Sequence, residues 1–61
     1  MLTTTELNDA RAKLAEARSL VTSVRDAFFG AGDTSGARLL NEVTHALADE
    51  IAAIDKKIAK P

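Results

Sequence analysis

The sequence predicts an all-α protein, an antiparallel two-helix hairpin that associates with further copies of itself into a four-helix bundle or a larger oligomer. Apolar residues recur every three or four positions in both halves of the chain, which is the a/d pattern of a heptad. All three glycines of the 61-residue sequence lie between these halves. A chain this short buries only about 60% of the surface that its unfolded form exposes, so self-association is expected to supply stability.

The first predicted helix covers residues 4–29. Thr3 is placed as its N-cap and Glu6 three residues further on, which is the capping-box arrangement, and Leu2 and Leu7 are placed as the accompanying hydrophobic staple. The apolar a/d positions are Leu7, Ala10, Leu14, Ala17, Val21, Val24 and Phe28. In the same register the e position of each heptad from Leu7 onward is an arginine, and this row consists of Arg11, Arg18 and Arg25.

A turn over residues 30–33 and a second helix over residues 34–59 complete the predicted hairpin, a single domain spanning residues 1–61. Gly30 is expected to take the left-handed backbone that commonly ends a helix. Asp33 or Thr34 is expected to cap the next helix. The second apolar stripe consists of Ala37, Leu40, Thr44, Leu47, Ile51, Ile54 and Ile58. Lysines near the end of the second helix favour the negative end of the helix dipole. They are Lys56, Lys57 and Lys60, and Pro61 follows them.

The apolar surface is wider than one partner helix covers, which favours a four-helix bundle or a larger ring of hairpins. The apolar residues beside the a/d positions are Leu20, Ala27, Phe29, Leu39, Val43, Ala46 and Ala53. Phe28 and Phe29 are the only aromatic residues. At the hairpin tip they are expected to close the end of the bundle or to contact a partner.

Composition excludes several classes of site. The sequence has no cysteine and a single histidine, His45, so thiolate sites and multi-histidine metal sites within one chain are excluded. The formal net charge of −1 argues against non-specific binding to nucleic acid. No apolar run approaches the roughly 20 residues of a membrane span, and the N-terminus does not resemble a signal peptide. We expect a cytoplasmic protein without a metal, a cofactor or a membrane partner.

Two polar features are candidate binding sites. The arginine row forms either a solvated flank that pairs with acids such as Asp55, or a groove for phosphates, which guanidinium groups bind with two parallel hydrogen bonds. The second feature is the start of the second helix, where backbone N–H groups favour an anion. It comprises Thr34, Ser35 and Gly36, with Arg38 one turn further on. The alternative interpretation of this segment is a simple turn that reverses the chain between the helices, because the GK[ST] ending of a phosphate-binding loop is absent.

No catalytic set stands out in the sequence. His45 has no nucleophile held near it in a fixed geometry, and its neighbour Thr44 does not face it on a helix. We therefore interpret His45 as a surface or interface residue and expect a protein that is not an enzyme.

The second half of the chain resembles the phage helical-hairpin sponge proteins, which sequester the cyclic nucleotide signals of bacterial anti-phage defence. The similarity lies in the helix opening at Ser35, in "THAL" at 44–47, and in the ending at 58–61. It implies a phage protein in the host cytoplasm that holds a cyclic oligonucleotide between its subunits. The predicted ligand contacts are Arg11, Arg18, Arg25, Thr34, Ser35, Arg38, Thr44 and His45.

The chain is also similar in architecture to the plasmid copy-number regulator Rop, with a short sequence echo in "LNDAR" at residues 7–11. That likeness implies a helical-bundle regulator or inhibitor that binds a host protein or RNA. A purely structural oligomerisation module is a further alternative. Architecture by itself does not carry function, so all three hypotheses stay open at this point.

Overall fold

The structure is a computed structural model that describes residues 2–59. Helix α1 (Thr4–Gly30) and helix α2 (Thr34–Ala59) run antiparallel and are joined by residues 31–33. The described part of the chain contains no strand, and the hairpin measures 46 × 15 × 14 Å. The prediction of an all-α helical hairpin is confirmed, while the predictions for Lys60 and Pro61 lie outside the described residues.

The start of α1 is fixed by the predicted capping box. Thr3 has an extended backbone, and its Oγ1 accepts a hydrogen bond from the Glu6 N–H at 3.1 Å. The Thr3 N–H in turn donates to Glu6 Oε1 at 3.0 Å. These reciprocal bonds satisfy backbone donors that have no partner within the helix. Of the predicted staple pair, Leu7 is buried and Leu2 is 54% exposed.

The chain reverses at Gly32, so the prediction that Gly30 takes the left-handed conformation is wrong. Gly30 is the last residue of α1, whereas Gly32 has a φ of 86°. The Gly32 N–H donates to the Phe29 carbonyl at 3.1 Å, and the Asp33 N–H donates to the Phe28 carbonyl at 2.9 Å. This pair of bonds is a Schellman motif. In this motif the left-handed residue follows the C-cap residue Ala31, so it lies two positions after Gly30.

Asp33 caps α2, which decides between the two predicted candidates. Its Oδ1 accepts from the Gly36 N–H at 2.9 Å, and its carbonyl accepts from the Ala37 N–H at 3.1 Å. A Cβ on Gly36 would lie 2.6 Å from Phe28 Cδ2 and 2.8 Å from Asp33 Oδ2. Gly36 therefore leaves room for the Phe28 ring and the capping carboxylate at the start of α2.

The seam between the helices follows the predicted stripe along α2 but departs from it near the end of α1. Every predicted stripe residue of α2 is buried or half-buried. On α1, Val24 and Phe28 are 45% and 41% exposed, and Arg25 is half-buried in their place. A straight helix drifts by about 20° per heptad. Arg25 follows Leu7 by about five turns of 3.6 residues and so occupies the same face.

Few side chains of the described residues are buried in the single hairpin. The apolar ones are Leu7, Ala37 and Ile54, and the polar one is Thr44. Thr44 satisfies its hydroxyl locally, because Oγ1 donates to the Leu40 carbonyl at 3.0 Å. The core of the single hairpin is therefore thin, and self-association stays a prediction.

Replacement of Gly32 by alanine is expected to lower the free energy of unfolding by about 1–2 kcal/mol, because a Cβ disfavours the left-handed backbone. The matched control is Gly30→Ala. That helical position has open space around a Cβ and is expected to gain up to about 1 kcal/mol. Chemical unfolding at one fixed protein concentration, followed by circular dichroism, measures both. Equal effects of the two substitutions would contradict the assignment of the turn.

The pKa of Glu6 is lowered, mainly because its carboxylate accepts the Thr3 backbone N–H and also because it bonds the Thr3 side chain. The carboxylate therefore contributes stability that is fully present above the unfolded pKa of about 4.3 and is lost as the pH falls through the lowered folded pKa. Glu6→Gln retains an acceptor and removes the charge. We expect the variant to lose less stability than the wild type between about pH 5 and 3, measured by chemical unfolding. Parallel pH profiles would contradict this role.

Candidate functional site

One long flank of the hairpin carries the polar contacts between the helices, and we call it the arginine flank. Its defining residues are Arg11, Arg18 and Arg25 of α1 with Asn41 and Asp55 of α2. The Arg11 Nε donates to Asp55 Oδ1, and a second Arg11 nitrogen lies 3.5 Å from Asp55 Oδ2. This bonding to Asp55 and the carboxylate charge raise the pKa of Arg11. The predicted pairing of the row with Asp55 is confirmed at Arg11.

A groove opens at the turn end of the arginine flank, with a volume of about 570 Å³. We call it the turn groove. Its lining residues are Arg25, Asp26 and Phe29 of α1 with Thr34, Ala37, Arg38 and Asn41 of α2. Three of the predicted contacts, Arg25, Thr34 and Arg38, therefore converge on one concave surface. Two of them, Arg25 and Arg38, come from opposite helices and carry guanidinium groups.

Neighbouring side chains hold the guanidinium of Arg25 in place. Its Nη1 donates to Asn41 Oδ1 at 2.8 Å across the seam. Its Nε and Nη2 donate to Asp26 Oδ1 at 3.3 and 3.1 Å. Each terminal nitrogen carries a second N–H beyond these bonds. The Arg25 side chain is only 28% exposed, so the group is oriented at the groove before any ligand arrives.

The other predicted contacts lie away from the turn groove. Arg11 is engaged with Asp55, about 21 Å from Arg25 along α1 at 1.5 Å per residue. Arg18 and His45 are exposed on the helix surfaces, and Thr44 is buried in the seam with its hydroxyl bonded to its own helix. Ser35 is exposed in the first turn of α2. The structure thus does not gather the predicted residues into one site.

The start of α2 already holds an anionic group, namely the carboxylate of Asp33. It accepts the Gly36 N–H and so occupies the position at which the predicted anion site would place a ligand. Its negative charge also opposes a phosphate at that point. Arg38 lies one helical turn further along α2, in the lining of the turn groove.

Sequence reasoning did not assign Asn41 and Asp26 to the site, and it gave Phe29 only a role at the tip. A usable signal was present, because Arg25 and Asn41 are 16 residues apart and Arg11 and Asp55 are 44 apart. Both pairs are centred on Asp33. In an antiparallel hairpin, residues equally far from the turn lie at the same level, so Asn41 follows once Asp33 is known to be the centre.

Within residues 2–59, no group of three or more histidine, cysteine, aspartate or glutamate side chains is placed to hold a metal ion. Neither described helix combines the length and the hydropathy needed to cross a membrane. Comparison of the chain with models of protein families, with characterised proteins and with solved structures yields no match. The resemblances to the sponge proteins and to Rop therefore stay predictions.

Proposed function

We propose that the protein is a non-enzymatic, self-associating binding protein that sequesters an anionic nucleotide, in particular a cyclic oligonucleotide signal, in the turn groove. The observation that carries the proposal is the convergence of two guanidinium groups, Arg25 and Arg38, with the aromatic ring of Phe29 around one groove. The groove volume falls within the roughly 300–1,000 Å³ of typical small-molecule sites.

The groove offers a partner for each part of a nucleotide. Guanidinium groups match phosphate oxygens with parallel, charge-assisted hydrogen bonds. Phe29 is 69% exposed, and stacking of a base on an aromatic ring contributes about 1–3 kcal/mol. The Thr34 hydroxyl and the Asn41 amide add polar groups that can fix the orientation of a base or sugar. Binding in this way removes the signal from solution without any chemical step.

A regulator that binds a host protein is the second candidate function. It is favoured by the same exposed Phe29, since exposed aromatic residues often anchor protein interfaces. The two candidates differ in what they require of Arg38, because a protein partner that docks on Phe29 does not need a phosphate-binding guanidinium beside it.

Arg38→Ala is expected to weaken nucleotide binding at least tenfold, because a charge-assisted hydrogen bond contributes about 1.5–3 kcal/mol. The probes are cyclic di-AMP, cyclic di-GMP and cyclic tri-AMP, and the readout is the ligand-induced thermal shift, which reports concentration over Kd. The control is Arg18→Ala, which removes the same charge from the exposed part of α1 outside the groove. Absence of any shift in the wild type, or an equal loss in both variants, would sink the proposal.

Asp26→Asn is expected to tighten binding of the same probes several-fold at low salt, because it removes a negative charge from the groove wall while keeping an acceptor for Arg25. The gain should shrink as ionic strength rises, since salt screens charges at an exposed site. Asp9→Asn is the matched control, because it makes the same change on α1 where Asp9 pairs with Lys13 at 3.0 Å. Isothermal titration calorimetry in two salt concentrations measures the effect. Unchanged affinity in Asp26→Asn would place the ligand elsewhere.

A further inference from the structure

The flank opposite the arginine flank is apolar at its turn end, and we call it the apolar flank. Its large exposed side chains are Leu20 (63%), Val24 (45%), Phe28 (41%), Leu39 (64%) and Val43 (45%). Successive residues of a helix are about 100° apart. Val24 therefore lies on the other side of the seam from Arg25, and Val43 on the other side from Asn41. The fit of Phe28 against Gly36 joins the two helices on this flank.

The same flank becomes charged towards the free end of the hairpin. Residues spaced three and four apart lie on the same face of a helix. On α1 the residues that follow Val24 on this face, towards the N-terminus, are Leu20, Ala17, Lys13, Ala10 and Glu6. On α2 the residues that follow Val43 in the same way, towards the C-terminus, are Ala46, Glu50, Ala53 and Lys57. Lys13, Glu6, Glu50 and Lys57 are all exposed. Each helix thus contributes one acid and one base to this half of the flank.

We propose that a second copy of this chain covers the apolar flank, in a twofold dimer whose two turns lie at the same end. The proposal rests on the self-association included in the proposed function and specifies its surface and symmetry. With both turns together, the apolar half of one flank packs on the apolar half of the other. The opposite arrangement would place Lys13 and Glu6 against the partner's apolar half, where burying charged groups is costly.

Charge complementarity supports the same arrangement. A twofold axis parallel to the helices sets α1 of one copy beside α2 of the other, at the level fixed by Asp33. Lys13 then lies three residues from the level of the partner's Glu50, and Glu6 three residues from that of the partner's Lys57. Three residues are about 4.5 Å along a helix, within reach of these long side chains. The charged halves therefore meet as pairs of opposite sign.

The dimer also supplies what the single hairpin lacks. Among the described residues the isolated chain buries only a few side chains, and the pairing of two apolar flanks builds a four-helix core between the hairpins. The arginine flanks face outward on opposite sides of that core. Each chain then keeps its own turn groove, which predicts one nucleotide bound per chain and not one held between subunits.

The test uses the absence of cysteine from the sequence. Ala31→Cys places a single spin label in the exposed turn, and Ala59→Cys places one at the other end of the described chain. Double electron–electron resonance is expected to give roughly 20 Å between labels in both variants, about two interaxial spacings of 8–10 Å. A distance close to the 46 Å length of the hairpin would overturn the symmetry and leave self-association intact. A monomer at all concentrations would overturn both, and neither result depends on the nucleotide titration.

A pair of substitutions checks the surface independently. Val24→Glu is expected to raise the dimer dissociation constant more than tenfold, measured by sedimentation, because it buries a charge at the proposed interface. Ser19→Glu is the control, since Ser19 is exposed on the opposite side of α1. Circular dichroism verifies that both variants remain helical. Equal dissociation constants for the two variants would overturn the assignment of the apolar flank as the interface.

Discussion

The backbone N–H and the side-chain carboxylate of Asp33 connect the two helices at the turn. Its N–H closes the end of α1 on the Phe28 carbonyl, and its side chain closes the start of α2 on the Gly36 N–H. One residue thereby satisfies backbone groups at two helix ends that would otherwise lack partners. Because only residues 31–33 join the two helices, this short turn also fixes which residues lie level with each other. The pairs of Arg11 with Asp55 and Arg25 with Asn41 follow from that register.

The second constraint is the mismatch between the 3.6-residue turn of an α-helix and the seven-residue repeat of the apolar pattern. The mismatch turns the stripe of α1 away from the seam as the chain approaches the turn. Val24 and Phe28 move onto the apolar flank, and Arg25 moves into the seam. The same drift therefore exposes apolar side chains on one flank and orients a guanidinium group at the groove on the other.

Much of the fold could be predicted from the sequence because its determinants are local. The Thr3–Glu6 capping box, the antiparallel pairing and the α2 stripe each depend on residues a few positions apart. The left-handed position was predicted at Gly30, but the Schellman motif places it two residues later, at Gly32. Sequence alone did not distinguish between these glycines, because either can adopt a left-handed backbone. The turn groove could not be predicted, because Arg25, Asn41 and Phe29 meet only when the register and the helix drift are both known. Heptad counting, which assumes no drift, kept Arg25 on the outer flank.

The adjacent residues Phe28 and Phe29 show how the turn couples the two flanks. About 100° apart on α1, they point to opposite sides of the hairpin. Phe28 packs on Gly36 at the apolar flank, and Phe29 lines the groove. The Asp33 carboxylate is also close to the Cβ position of Gly36, beside Phe28. A shift of Phe28 caused by a partner on the apolar flank would press on the residue that sets the start of α2, and hence on the positions of Thr34 and Arg38. The surface proposed for self-association and the groove proposed for the ligand therefore meet at the same turn.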